Sequence, residues 1–190
     1  YCLTQQRDAA GMLLFDEKID EFVPARFRHG QLRQICVALE RAPTGTATDL
    51  IQPLDRIAGQ VRKRGLIVLI SDLLAPIDGL DRSLMALQAC GHELVVFQIL
   101  DPQELDLSYT SSALFVDSET GRELYVDPEQ ARRQYQERIE LHCSAIRNTC
   151  NKLGALYERV STVQPIEFVL SEFLAITARL KSRGLRRQAK

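Results

Sequence analysis

The sequence predicts an α/β fold in which a mostly parallel sheet is covered by helices. Three observations carry that expectation. Leu66–Ile70 is an unbroken apolar run, mostly branched, which is the pattern of a strand buried on both faces. Leu94–Leu100 is a second, nearly continuous apolar run. Helical spacings alternate with these strands from Gly30 to Leu100, and such alternation implies parallel strands joined by right-handed crossovers.

The elements follow in order. Tyr1–Arg7 reads as the end of a helix. Met12–Phe15 and Ile19–Val23, around the polar turn Asp16-Glu17-Lys18, form a hairpin whose second strand is closed by Pro24 and lies at a sheet edge. Gly30–Arg41 places Leu32, Ile35, Cys36 and Leu39 at the spacing of an amphipathic helix. After the loop 42–48 a second helix spans Asp49–Arg64, with Leu50, Leu54, Ile57 and Val61 as its inner stripe, Thr48 as its N-cap and Gly65 as its stop. Beyond Leu66–Ile70, a helix from Asp78 or Gly79 carries Leu80, Leu84 and Leu87 inward, and Gly91 ends it in a left-handed cap.

The C-terminal half reads as cleanly. Asp101 and Glu104 have capping-box spacing. Ala113–Asp117 and Glu123–Asp127 flank Ser118–Gly121 as a second hairpin. Pro128 starts a long helix to Leu153, with Ala131, Tyr135, Ile139, His142, Ile146, Cys150 and Leu153 along one side. Gly154 breaks it, Leu156–Val160 is one more strand, and Pro165–Leu180 is a last apolar helix. Residues 1–182 form one domain, and 183–190 are a basic tail whose simplest role is a solvated terminus.

Composition excludes several classes. The 24 basic and 25 acidic residues leave a net charge of −1, so no nucleic-acid partner is expected. No window approaches the roughly 18 apolar residues of a membrane span. Five cysteines make an odd set without a Cys-x-x-Cys pair, which argues against a disulfide framework or a thiolate zinc site and fits a reducing cytoplasm. Phosphate-loop, dinucleotide, serine-elbow and zincin motifs are all missing.

Two segments carry the chemically interesting oxygens. Thr44-Gly-Thr-Ala-Thr-Asp49 supplies three hydroxyls and a carboxylate at the start of a helix. Ser71-Asp72 supplies a hydroxyl and a carboxylate at the end of an apolar strand, where open α/β sheets place their ligands. Such oxygens suit hard cations, and Mg²⁺ needs only one or two protein carboxylates. The bland roles are equally concrete: Thr48 caps a helix, Asp49 sits in its first turn, and Asp72 caps the turn at Leu73-Leu74.

The order of the segments Gln6–Asp16, Gly45–Leu50, Gly65–Leu74, Gly91–Pro102 and Phe115–Gly121 resembles a von Willebrand factor A-type domain. It resembles more narrowly the bacterial proteins grouped as domain of unknown function 58. The resemblance implies a Rossmann-like three-layer αβα sandwich, mostly parallel with an antiparallel edge strand. It also implies a metal-ion-dependent adhesion site on the carboxyl rim. In such sites an Asp-x-Ser-x-Ser segment, a threonine and a later aspartate hold the cation. Thr48 matches the threonine and Asp72 the later aspartate. The Asp-x-Ser-x-Ser segment has no counterpart, so it and the first central strand are expected upstream of Tyr1. Met12–Phe15 and Leu66–Ile70 would then lack their common neighbour, and the 190 residues alone would be marginally stable.

The leading expectation is a non-enzymatic, metal-dependent protein-binding domain. Thr48 and Asp72 would hold a divalent cation, Mg²⁺ first and Mn²⁺ or Ca²⁺ as alternatives, with Thr46, Asp49, Leu73 and Asp101 shaping the partner surface. The resemblance implies co-operation with a MoxR-type AAA+ ATPase or its client. One alternative is a metal-assisted hydrolase using Asp72 and Asp101. Another is a scaffold that binds through Pro128–Leu153 and keeps only a vestigial rim.

Overall fold

The hairpin comes first. In the computed structural model, which describes residues 2–16, 18–41, 49–109, 111, 113–116, 121–171 and 173–175, a short helix α1 (Cys2–Gln5) precedes the strands β1 (Ala10–Phe15) and β2 (Ile19–Arg26). They pair antiparallel with Leu13 opposite Phe22, and the register slips between Ala10 and Met12. Gly11 sits at that slip because a Cβ there would lie 2.5 Å from the Ala25 nitrogen and 2.7 Å from the Val23 oxygen. Pro24 lies inside β2, not at its end as expected; β2 pairs on one side only, and an unpaired edge tolerates a missing N–H.

Helix α2 (Gln31–Leu39) is turned relative to the predicted stripe. Gln31 and Ala38 are its buried residues, whereas Cys36 is exposed and Leu39 is 58% exposed. The cause is the Gln31 amide, whose Nε2 donates to the Ala10 oxygen at 2.8 Å and the Pro24 oxygen at 2.9 Å, fastening the helix to the hairpin. Helix α3 (Ile51–Gln60) ends four residues earlier than expected, because Val61 is already extended (φ −89°, ψ 92°). Of its predicted stripe, Leu50 and Leu54 are buried in the core and Ile57 packs against it, whereas Val61 lies beyond the helix.

Strand β3 (Leu66–Ser71), helix α4 (Leu80–Ala89) and strand β4 (Glu93–Leu100) form the predicted parallel unit. Gly79 (φ 89°) and Gly91 (φ 86°) bound α4 in left-handed conformations, and Leu80, Leu84 and Leu87 point inward. After the one-turn helix α5 (Pro102–Asp106), β5 (Ala113–Val116) and β6 (Glu123–Val126) pair as the second hairpin. Helix α6 (Pro128–Leu153) has Pro128 in its first turn and Gly154 (φ 67°) at its C-terminus, and it leads into β7 (Leu156–Ser161). Residues 166–171 and 173–175 are helical. The predicted end of this helix at Leu180 and the tail 183–190 lie outside the described residues.

The three parallel strands stand in the order β3-β4-β7. One face of this sheet carries Leu69, Leu94 and Val96 against Leu54 of α3, Leu84 and Leu87 of α4, and Ile146 and Cys150 of α6. On the other face Phe97 meets Phe173, their rings 5.6 Å apart. Helices therefore flank both faces, a mixed α/β, Rossmann-like αβα arrangement.

Two expectations are corrected. Leu66–Ile70 is not buried on both faces: among the described strands β3 pairs only with β4, at the edge of the parallel sheet, and Leu66, Val68 and Ile70 are 41%, 38% and 63% exposed. The antiparallel strand β2 does not edge the parallel sheet either, because β1 and β2 form a sheet of their own. Phe15 packs against the common core, and the Asp49 N–H donates to the Asp16 oxygen at 2.9 Å, which ties the hairpin to the main body.

Candidate functional site on the carboxyl rim

The chain leaves β3 through a tight, self-bonded turn. Asp72 follows the last strand residue and is exposed. Its Oδ1 accepts the Leu74 N–H at 3.2 Å and the Ser71 hydroxyl at 3.4 Å, while the Ser71 Oγ accepts the Leu73 N–H at 3.1 Å. The turn-capping role anticipated for Asp72 is therefore real. It occupies one oxygen, and among the described residues Oδ2 has no hydrogen-bond partner. The turn is closed by Leu73, which takes φ 56°, a left-handed conformation that costs a non-glycine residue about 1 kcal/mol or more.

Leu73 itself corrects an expectation. Assigned to a partner surface by its place in the sequence, it is fully buried in the core. The positive φ turns its side chain inward and leaves Asp72 at the rim.

The main-chain oxygens of this turn are held from beneath. Gln98, fully buried on β4 and paired in register with Ser71, donates from Nε2 to the Asp72 oxygen at 2.9 Å. Its Oε1 accepts the Tyr157 hydroxyl of β7 at 2.6 Å. Burial pushes Tyr157 up to about 12, so that hydroxyl keeps its proton. From α6, the His142 Nε2 lies 2.6 Å from the Leu73 oxygen; a carbonyl only accepts, so this nitrogen carries the hydrogen. Gln98 and Tyr157 went unremarked in the sequence, and His142 was placed only on the inner side of its helix. A lone amide inside an otherwise apolar strand was the available signal, because a buried amide needs partners.

The other candidates are structurally committed. Asp101 caps α5 with the full capping box: its Oδ1 accepts the Gln103 N–H at 2.9 Å, and Glu104 accepts the Asp101 N–H at 2.7 Å. Its Oδ2 accepts the Thr162 hydroxyl at 2.8 Å. The Gln103 N–H first, and then Thr162, hold the Asp101 carboxyl below its ordinary value. Asp49 lies before α3, not in its first turn, and its Oδ1 accepts the Ile51 N–H at 2.8 Å. Thr46 and Thr48 lie outside the described residues.

In donor type the rim suits a hard cation through Asp72, whose Oδ2 has no hydrogen-bond partner among the described residues, while the Ser71 hydroxyl is engaged within the turn. Among the described residues, no three His, Cys, Asp or Glu side chains are grouped to hold a metal ion. No helix among them is long and apolar enough to cross a membrane.

Comparison with known proteins fits this geometry into a family. The family described as "Protein of unknown function DUF58" matches residues 1–145. The chain belongs to the DUF58 family. A relative from Mycobacterium avium, "Uncharacterized protein MAV169", is 34% identical over 138 residues, covering 70% of this chain and 80% of the relative. "Uncharacterized protein Rv1480" from Mycobacterium tuberculosis (strain ATCC 25618 / H37Rv) is 33% identical over 139 residues, and the match spans only 43% of its length. Among solved structures, this DUF58 chain is similar to "conserved hypothetical protein BatB" from Bacteroides thetaiotaomicron. That match has a TM-score of 0.57 at 13% identity and covers 94% of this chain and 84% of that one. An "aerotolerance-related membrane protein" from Bacteroides fragilis gives 0.53 at 15% identity, covering 84% and 76%. At such identities the likeness establishes a shared fold.

Proposed function

We propose that this DUF58 chain is a von Willebrand A-type protein-binding domain. On this reading its partner docks on the rim at the carboxyl ends of β3 and β4. The observation that carries the reading is the Asp72 turn, an exposed carboxylate with one oxygen unpartnered among the described residues, on a main chain held by Gln98 and His142. Asp72 and Thr48 would hold a divalent cation, Mg²⁺ before Mn²⁺ or Ca²⁺, completed by water and by an acidic side chain of the partner. The family resemblance supports a MoxR-type AAA+ ATPase, or a client of one, as that partner. The free thiols Cys36, Cys90, Cys143 and Cys150 fit a reducing, cytoplasmic setting.

The role is binding, not catalysis. The hydrolase alternative needs Asp101 as a second working carboxylate, and both Asp101 oxygens are engaged in local hydrogen bonds. The test is a Mn²⁺ titration of the full-length protein, wild type against Asp72→Ala. Saturable binding by the wild type that weakens roughly 10-fold or more in the variant is expected, the scale on which metal sites respond to disrupted coordination. Equal binding by both removes Asp72 from the site.

A further inference from the structure

We propose that Gln98 and His142 are positioning residues, which set the direction of the Asp72 carboxylate by holding the two main-chain oxygens of its turn. This deepens the rim reading above and rests on it. At the end of β3 the chain turns out of the sheet, so the Asp72 and Leu73 carbonyls need partners elsewhere. Each receives a single side-chain donor, and the two donors come from different elements: Gln98 of β4 at 2.9 Å and His142 of α6 at 2.6 Å. The Gln98 amide is itself oriented. Tyr157 of β7 donates to its Oε1, which leaves only Nε2 to face Asp72.

The arrangement does more than fill space. Gln98 is fully buried at a position where an aliphatic side chain would need no hydrogen-bond partners. The amide and the imidazole instead converge on adjacent carbonyls of a turn whose Leu73 has φ 56°. A backbone in that region persists where its surroundings over-determine it. With both oxygens fixed, Asp72 has a defined Cα–Cβ direction, and the Leu74 N–H and Ser71 hydroxyl then fix Oδ1. Oδ2 is left to a ligand.

The test separates the holding of the turn from the binding of an ion. Gln98→Met combined with Tyr157→Phe removes both ends of the amide link without stranding a hydroxyl. His142→Leu removes the second donor, and His142→Gln keeps one. Amide hydrogen exchange is measured without added metal at Leu74, whose N–H bonds to Asp72, and at Val96 in the interior of β4. Mn²⁺ affinity is measured on the same proteins by the resonance signal of the free ion.

The donor-removing variants should speed Leu74 exchange roughly 10-fold beyond any change at Val96, because local opening is then decoupled from global unfolding. Their Mn²⁺ affinity should fall roughly 10–100-fold, with His142→Gln restored toward the wild type. Leu74 exchange that stays unchanged, or rises only in step with Val96, overturns the positioning role. If the wild type binds no Mn²⁺ while Leu74 still responds, the rim reading fails and the holding of the turn is upheld. If Asp72→Ala abolishes Mn²⁺ binding while the donor-removing variants bind as the wild type does, the positioning role alone is overturned. Should Gln98→Met/Tyr157→Phe not fold, the comparison of His142→Leu with His142→Gln decides the same question.

Discussion

Gln31 and Gln98 are both essentially excluded from water; Gln31 donates to the Ala10 and Pro24 main-chain oxygens, and Gln98 to that of Asp72. Replacing Gln31 by Leu should leave the Ala10 and Pro24 oxygens without that donor. A loss of about 1–3 kcal/mol is expected in denaturant unfolding, the cost of stranding buried polar groups. Asp101 gives a pH signature. Its carboxyl is held below the ordinary value of 3.8 by the Gln103 N–H and the Thr162 hydroxyl, so its contribution is complete above that value and lost as pH falls through the lower folded value. Asp101→Asn should therefore narrow the difference between neutral and acid stability, and a carboxyl titration followed by NMR should place Asp101 below a model aspartate. Residue chemistry was legible in part. The Asp101–Glu104 spacing announced its capping box, and Asp72 announced its turn. Gln98, Tyr157 and His142 did not announce that they meet, because residues in β4, β7 and α6 are brought together only by sheet order and helix packing.

Elements were the most legible scale, and their failures share a cause. The helix and strand periodicities of α4, β4 and α6 match the structure because apolar spacing and bounding glycines agree with one another. The α2 stripe departs from hydrophobic spacing because two hydrogen bonds from Gln31 to the hairpin, not the apolar character of Leu39, decide which side faces in. For β3, an apolar run reports that a strand can be buried, not that neighbours cover it. Gly11 is the position where the hairpin is least tolerant: the atoms a Cβ would meet are backbone and cannot yield. Gly11→Ala should destabilise by about 1–3 kcal/mol and shift the amide resonances of both strands. The open side of β3 makes the opposite prediction. Val68→Lys and Ile70→Lys should reduce self-association in sedimentation experiments while changing unfolding free energy by no more than about 0.5 kcal/mol, as surface substitutions do.

At the scale of the molecule, the described strands divide into three sheets, β1-β2, β3-β4-β7 and β5-β6. Only the middle one has helices on both faces. The β1-β2 hairpin is tied on through Phe15 and the Asp16–Asp49 main-chain bond, so its amides should exchange at lower free energy than those of β4. Equal protection in the two sheets would show one cooperative unit. The order of segments along the chain disclosed the family, but not how the strands partition among sheets, which depends on pairing across distances no local pattern encodes.

Leu73 gives the rim a property of its own. Its backbone forms the turn beneath Asp72, while its side chain is among the most deeply buried in the protein. Swinging the turn to another conformation would extract a leucine from the core, at about 1.5–3 kcal/mol. Alternative states of the rim would then be populated at roughly 1–10% or below. On the proposed reading, a ligand arriving at Asp72 would meet a surface already in its binding shape and would give up little affinity in selecting it. The rim turn and the core thus share one residue, Leu73, so a change in the shape of the turn disturbs the packing of the core.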